Sequence, residues 1–157
     1  MKKLFFLIII SIFTINSAHS RNIGETEIFT DEGIEVFQNE KYYLLKKNVK
    51  IDSDDFVLTG DLVKIFFDKD LYDIVNLIAD GNVKLYSEIY GIKGRGENIK
   101  INIKSEEIEV FGIKSSLILE NIDMYSDGII KVNNFDGSFF INGPNSNLRT
   151  EDINITG

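Results

Sequence analysis

This sequence predicts an all-β fold, on three observations. Apolar and polar residues alternate with period two from Glu27 to Thr156, the pattern of half-buried strands. Ala, the best helix former, occurs only at Ala18 and Ala79, while Ile, Val, Phe and Tyr are abundant, a balance that favours strands. After residue 20 no window of helical length carries an apolar stripe at i, i+3, i+4 and i+7.

The first twenty residues read differently. Lys2 and Lys3 precede a run that is apolar from Leu4 to Ile15 except for Ser11 and Thr14, and Ala18-His19-Ser20 places small residues where a signal peptidase reads them. Residues 1–20 are therefore expected to be a helical signal peptide cleaved after Ser20, and residues 21–157 a single exported domain. The alternative is an uncleaved anchor, but the run of about a dozen residues is short of the roughly 20 that cross a bilayer. No Cys follows the run, which excludes a lipoprotein anchor.

Along the rest of the chain, Val49–Ile51, Phe56–Leu58, Val63–Phe67, Val75–Ala79, Val83–Leu85, Ile99–Ile103 and Ile108–Val110 each read as a short strand. Leu117–Leu119, Ile129–Val132, Phe139–Ile141 and Ile153–Ile155 follow. Turn formers separate them at Asp52-Ser53-Asp54, Asp68-Lys69-Asp70, Asp80-Gly81-Asn82, Lys104-Ser105-Glu106 and Asn142-Gly143-Pro144. A dozen or more strands are expected. The pattern also repeats. Gly60-Asp61-Leu62-Val63-Lys64-Ile65 resembles Gly96-Glu97-Asn98-Ile99-Lys100-Ile101 thirty-six positions later, and Asn48-Val49-Lys50-Ile51 resembles Asn82-Val83-Lys84-Leu85 thirty-four later. Such a period suggests stacked units of about four strands.

One strand face is apolar throughout. Val49, Ile51, Val63, Ile65, Phe67, Val75, Leu77, Ala79, Val83, Leu85, Ile99, Ile101 and Ile103 fall on one side, and after a change of parity so do Phe56, Leu58, Ile108 and Val110. Lys50, Lys64, Lys84 and Lys100 fall on the other. Two arrangements satisfy this pattern: a sandwich with a filled core, or two sheets that curve together without closing and leave an apolar trough for aliphatic chains. A strand of five or six residues is about 17–20 Å long, close to the length of an acyl chain. Near the ends, Ile28 and Phe29, and Ile153 and Ile155, lie in segments with few charges and no Pro, suited to edge pairing with a partner or with a second copy head to tail.

Composition narrows the function. The chain has 157 residues, no Cys and one His, which the expected cleavage removes. Disulfides, thiolate metal sites and Ser/His catalysis therefore lack their residues, and no enzyme, metal or cofactor is expected. The formal charge is −8, and cleavage would leave 15 basic against 25 acidic side chains, a formal charge of −10. No nucleic-acid partner is expected from such a balance. Asp52, Asp54 and Asp55 read as an acidic turn rather than a calcium loop. Gly91, Gly94 and Gly96 read as a bend or bulge, since no helix follows them to bind phosphate. Asp61 with Glu97, and Asp70 with Glu106, are repeat-related outward acids rather than an acid pair for glycoside hydrolysis.

Thr30-Asp31-Glu32-Gly33-Ile34-Glu35-Val36 resembles the opening of LptA/OstA-type proteins. Ile78-Ala79-Asp80-Gly81-Asn82-Val83-Lys84-Leu85 is similar to that family's Ala-x-Gly-Asn-Val segment, and Tyr90 to Ile103 resembles its Tyr-Gly-Asp segment, with Gly96-Glu97 in place of Gly-Asp. The likeness runs from about Glu27 to Gly157. It implies a twisted, V-shaped antiparallel β-jellyroll, slightly open between two sheets, in the periplasm. It further implies a lipopolysaccharide bridge carrying lipid A acyl chains in its interior, joined by edge strands to an inner-membrane LptC-like and an outer-membrane LptD-like protein. The groove residues implied are Val49, Ile51, Phe56, Leu58, Val63, Ile65, Phe67, Leu77, Val83, Leu85, Ile99, Ile101, Ile103, Ile108 and Val110, and the partner contacts are Ile28, Phe29, Ile153 and Ile155. Lys47-Asn48 departs from the family's usual glycine; Lys46, Lys47 and Lys50 are candidates for headgroup phosphate, but a solvated strand face is the favoured reading for them. The alternatives are an exported structural or adhesive β-repeat protein with a filled core, and the membrane-anchored LptC-like partner of the same pathway.

Overall fold

The computed structural model describes residues 21–157; the expected signal peptide, 1–20, lies outside the described residues. Among the described residues thirteen strands form one antiparallel sheet. They are β1 (Glu27–Phe29), β2 (Ile34–Phe37), β3 (Tyr42–Asp52), β4 (Val57–Phe67), β5 (Ile74–Ser87), β6 (Ile92–Asn102) and β7 (Glu107–Phe111). The remainder are β8 (Ser115–Leu119), β9 (Ile122–Ser126), β10 (Ile129–Asn133), β11 (Ser138–Asn142), β12 (Asn147–Arg149) and β13 (Asn154–Thr156).

The pairings reduce to an up-and-down meander in which every long strand is creased near its middle. β1 and β2 both pair β3, at opposite ends. β7 and β8 pair opposite ends of β6, and β9 and β10 return along β8 and β7. β11 and β12 then lie along β10 and β9. The crease divides the meander into two half-sheets. Sheet one runs β2, the start of β3, the end of β4, the start of β5, the end of β6, β7, β10 and β11. Sheet two runs β1, the end of β3, the start of β4, the end of β5, the start of β6, β8, β9, β12 and β13.

The crease is written in backbone conformation. Registers shift between Lys46 and Val49, Thr59 and Leu62, and Asp80 and Val83. Lys47 and Asn48 have φ of 64° and 48°, and Gly81 and Asn82 have 79° and 48°, a left-handed pair that re-aims the strand as a bulge does. The thirty-four-residue repeat is thus one creased hairpin returning. Acids hold the crease: the Asn48 amide donates to Asp31 at 2.6 Å, Asn82 to Asp61 at 3.4 Å and Asn145 to Asp127 at 2.6 Å. Glu97, the repeat mate of Asp61, lies over Gly112, where a Cβ would come within 2.6 Å of it.

Three expectations need correction. Asp80-Gly81-Asn82 is not a chain reversal; it lies inside β5, which runs unbroken from Ile74 to Ser87. Phe56–Leu58 and Val63–Phe67 are largely one strand, because Gly60 and Asp61 continue β4 across the crease. A second register shift, between Phe66 and Phe67, makes Ile74 rather than Val75 the residue packed against the core. Sequence reasoning also passed over β9, β12 and the first half of β3.

Candidate functional site: the apolar interior and its open edges

The inner faces of both half-sheets share one apolar cluster. Leu45, Val63, Ile65, Leu77, Ala79, Ile99, Val110, Ile130 and Val132 come from sheet one, and Val49, Ile51, Leu58, Val83, Leu85, Leu117 and Met124 from sheet two. Burial falls with distance from the crease. Along β4 exposure rises from 0% at Val63 to 4% at Ile65 and 7% at Phe67. Along β6 and its turn it rises from 1% at Ile99 through half-buried Ile101 to 44% at Ile103. The same gradient leads from Val110 to half-buried Ile108, from Leu117 to Leu119, from Met124 to Ile122 and from Leu58 to Phe56. The interior is filled at the crease by its own side chains, and its lining grows more exposed toward the strand ends.

Of the residues the sequence marked for the interior, Val49, Ile51, Leu58, Val63, Ile65, Phe67, Leu77, Val83, Leu85, Ile99 and Val110 are buried. Phe56, Ile101 and Ile108 pack against them while keeping part of their surface in water. Ile103 departs from the set: it lies in the turn beyond β6 and is exposed. Sequence reasoning missed Leu45, Leu117, Met124, Ile130 and Val132. They sit on the same face in strands that were read too short, not read at all, or read without assigning their faces.

The outer faces are polar. On sheet one the Lys100 amine lies 3.2 Å from Glu109, and Lys131 bridges Glu107 and Glu109 at 3.2 and 3.3 Å. Burial pushes the Glu109 carboxyl up, but its pairs with Lys100 and Lys131 outweigh that and hold it below its ordinary value. A depression of about 300 Å³ on this side is lined by Phe66, Asn76, Leu77, Ile78, Lys100, Ile101, Asn102, Glu107 and Glu109. Lys46, Lys47 and Lys50, candidates for phosphate, are instead turned to Glu35 at 2.6 Å, Glu32 at 4.0 Å and Asp52 at 2.8 Å. The acidic turn at Asp52 and Asp54 faces the Arg21 guanidinium, at 3.4 and 2.5 Å. That contact, with the Gly24 N–H, holds the Asp54 carboxyl below its ordinary value. Among the described residues no group of His, Cys, Asp and Glu is arranged to hold a metal ion.

Among the described residues four strands have one unpaired side: β1 and β2 at the start of the meander, and β11 and β13 at its end. Ile28 and Phe29 lie in β1, Ile155 in β13 and Ile153 immediately before it, all exposed. The edges of β2 and β11 expose Ile34, Val36, Phe139 and Phe140 as well, and sequence reasoning did not mark them as edges. Their lack of Pro, and of more than one charge per strand, was the available signal.

No family model matches the chain, and no curated protein matches it in sequence. Among solved structures, the chain is similar to the crystal structure of LptH from Pseudomonas aeruginosa, described as the LptA-homologous periplasmic component of the conserved lipopolysaccharide transport device. The TM-score is 0.63 at 13% identity, over 76% of this chain and 82% of LptH. With thirteen strands, a creased meander and edges left open at both ends, the chain has the LptA-like β-jellyroll fold.

Proposed function

We propose that this chain is an exported, non-catalytic carrier of lipopolysaccharide, taking lipid A acyl chains between its two half-sheets on their way from the inner to the outer membrane. The observation that carries the reading is the burial gradient. The interior is lined by Ile, Val, Leu, Phe, Ala and Met, with Tyr43 at its margin and the hydroxyls of Ser87, Ser115 and Ser126 buried on the same inward rows. It is filled at the crease and grows more exposed toward the strand ends, which we take as its mouth. Acyl chains entering there would gain about 0.8 kcal/mol per methylene removed from water. The side chains that fill the interior of the empty form must move aside, so loading requires the half-sheets to part. The open strands β1, β2, β11 and β13 supply edges for LptC-like and LptD-like neighbours.

Photo-crosslinking tests this. A benzophenone side chain placed at mouth positions Phe56, Ile101 or Ile108 is expected to capture lipopolysaccharide in cells, and one placed at outward Lys64 or Lys100 is not. Equal capture from both sets would defeat the interior as the binding site. The complete burial of Val63, Ala79, Val83 and Val110 favours a second reading, an exported structural protein with a filled core. Capture from neither set would favour that reading.

A further inference from the structure

The outward face of sheet two differs from that of sheet one in charge. On sheet one the outward rows carry Lys46, Lys64, Lys100 and Lys131 against Glu35, Asp80, Glu107 and Glu109, a balanced set. On sheet two the outward rows from Phe29 to Thr156 and from Glu27 to Asn154 carry five cations, Lys50, Lys84, Lys93, Arg95 and Arg149, against three carboxylates, Glu27, Asp52 and Asp123. Asp52 is already held by Lys50 and Arg21. At the centre of the face Lys84 lies directly opposite Arg95, and Lys93, opposite Tyr86, is diagonal to Lys84. All three cations are exposed, and among the described residues none has an ion-pair partner.

Like charges placed opposite one another on a sheet are destabilising. Here they persist in a chain of formal charge −8. Tyr86 and Tyr125 stand on the same face with 46% and 40% of their surface exposed. Half-exposed tyrosines beside unpaired cations suit the headgroup layer of an anionic bilayer, where aromatic rings settle and each basic side chain near the surface adds attraction. The acidity of the rest of the molecule does not oppose this at close range, because screening at physiological salt confines charge interactions to about 8 Å.

We propose that the outward face of sheet two, centred on Lys84, Lys93 and Arg95, docks on an anionic membrane surface. This face is the back of the sheet, so docking leaves the mouth and the open strand edges free. The inference goes beyond lipid transport and stands whether or not the interior carries lipid.

Co-sedimentation with vesicles tests it. The purified protein is compared on phosphatidylglycerol-containing vesicles and on pure phosphatidylcholine vesicles at physiological salt. The K84Q/K93Q/R95Q variant is set beside K64Q/K69Q/K114Q, which removes three unpaired cations elsewhere. Any contribution from an apolar amino terminus is common to every variant. Binding to the anionic vesicles, lost on the order of a hundredfold in the first variant and retained in the second, is the expected result. Removing the opposed charges is also expected to leave the unfolding midpoint unchanged or raised, which separates lost docking from lost folding. Absence of anionic-vesicle binding, equal binding to both vesicles, equal loss in both variants, or full competition by inorganic phosphate at matched ionic strength would each overturn the proposal.

Discussion

At the scale of single residues, Gly60 and Gly96 occupy equivalent places in the repeat but face different surroundings. A Cβ on Gly60 would meet the Asp80 carbonyl oxygen at 3.4 Å and the Ala79 side chain at 3.6 Å, ordinary contact distances. On Gly96 it would meet Val110 at 2.7 Å and the Phe111 carbonyl oxygen at 2.9 Å, where backbone cannot yield. Gly60→Ala is therefore expected to be neutral or slightly stabilising, through reduced freedom of the unfolded chain. Gly96→Ala is expected to cost about 1–3 kcal/mol; urea midpoints of the two variants measure the difference. Asp127 offers a pH test. The Asn145 amide, and then the Lys114 N–H, hold its carboxyl below the ordinary value. Its contribution is accordingly complete above the unfolded-state pKa of about 4 and fades as pH falls through the lower folded value. Asp127→Asn is expected to lower stability at neutral pH and flatten its decline in acid, as read from urea midpoints across that range.

At the scale of elements, the apolar face was legible because a period of two survives both turns and bulges. The crease was not. Gly81 and Asn82 both adopt positive φ, the local conformation that two-residue hairpin turns demand, so Asp80-Gly81-Asn82 carries the chemistry of a reversal. Only the neighbours on either side, Val83 against Gly96 and Asp80 against Asn98, show that the strand continues. β12 was missed for a different reason: Asn147-Leu148-Arg149 offers one apolar residue and no alternation to read. Ile103 was overextended because Ile99, Ile101 and Ile103 keep strict parity past the point where β6 ends. The edges carry the prediction at this scale. Phe140→Lys in β11 and Ile155→Lys in β13 place charge on open strands, which discourages pairing. Light scattering over a concentration series is expected to show self-association in the parent chain that the double variant loses. A parent chain that stays monomeric at high concentration would count against pairing through these edges.

At the scale of the whole molecule, the interior forms one apolar body from two half-sheets that share their strands. A ligand held only by the folded form raises stability by mass action, by about 2.7 kcal/mol at one hundred times its dissociation constant. Added lipopolysaccharide is therefore expected to raise the thermal midpoint of the parent chain and to raise that of Ile101→Lys much less, the change lying at the half-buried mouth. An unmoved midpoint in the parent chain would mark the interior as closed to lipid. The meander has one more consequence. Each long strand lies beside the one made just before it, so no segment waits for a distant partner before it can pair. Loop closure therefore adds little delay to assembly, and a chain delivered one end first could crystallise onto its own growing flank, hairpin after hairpin.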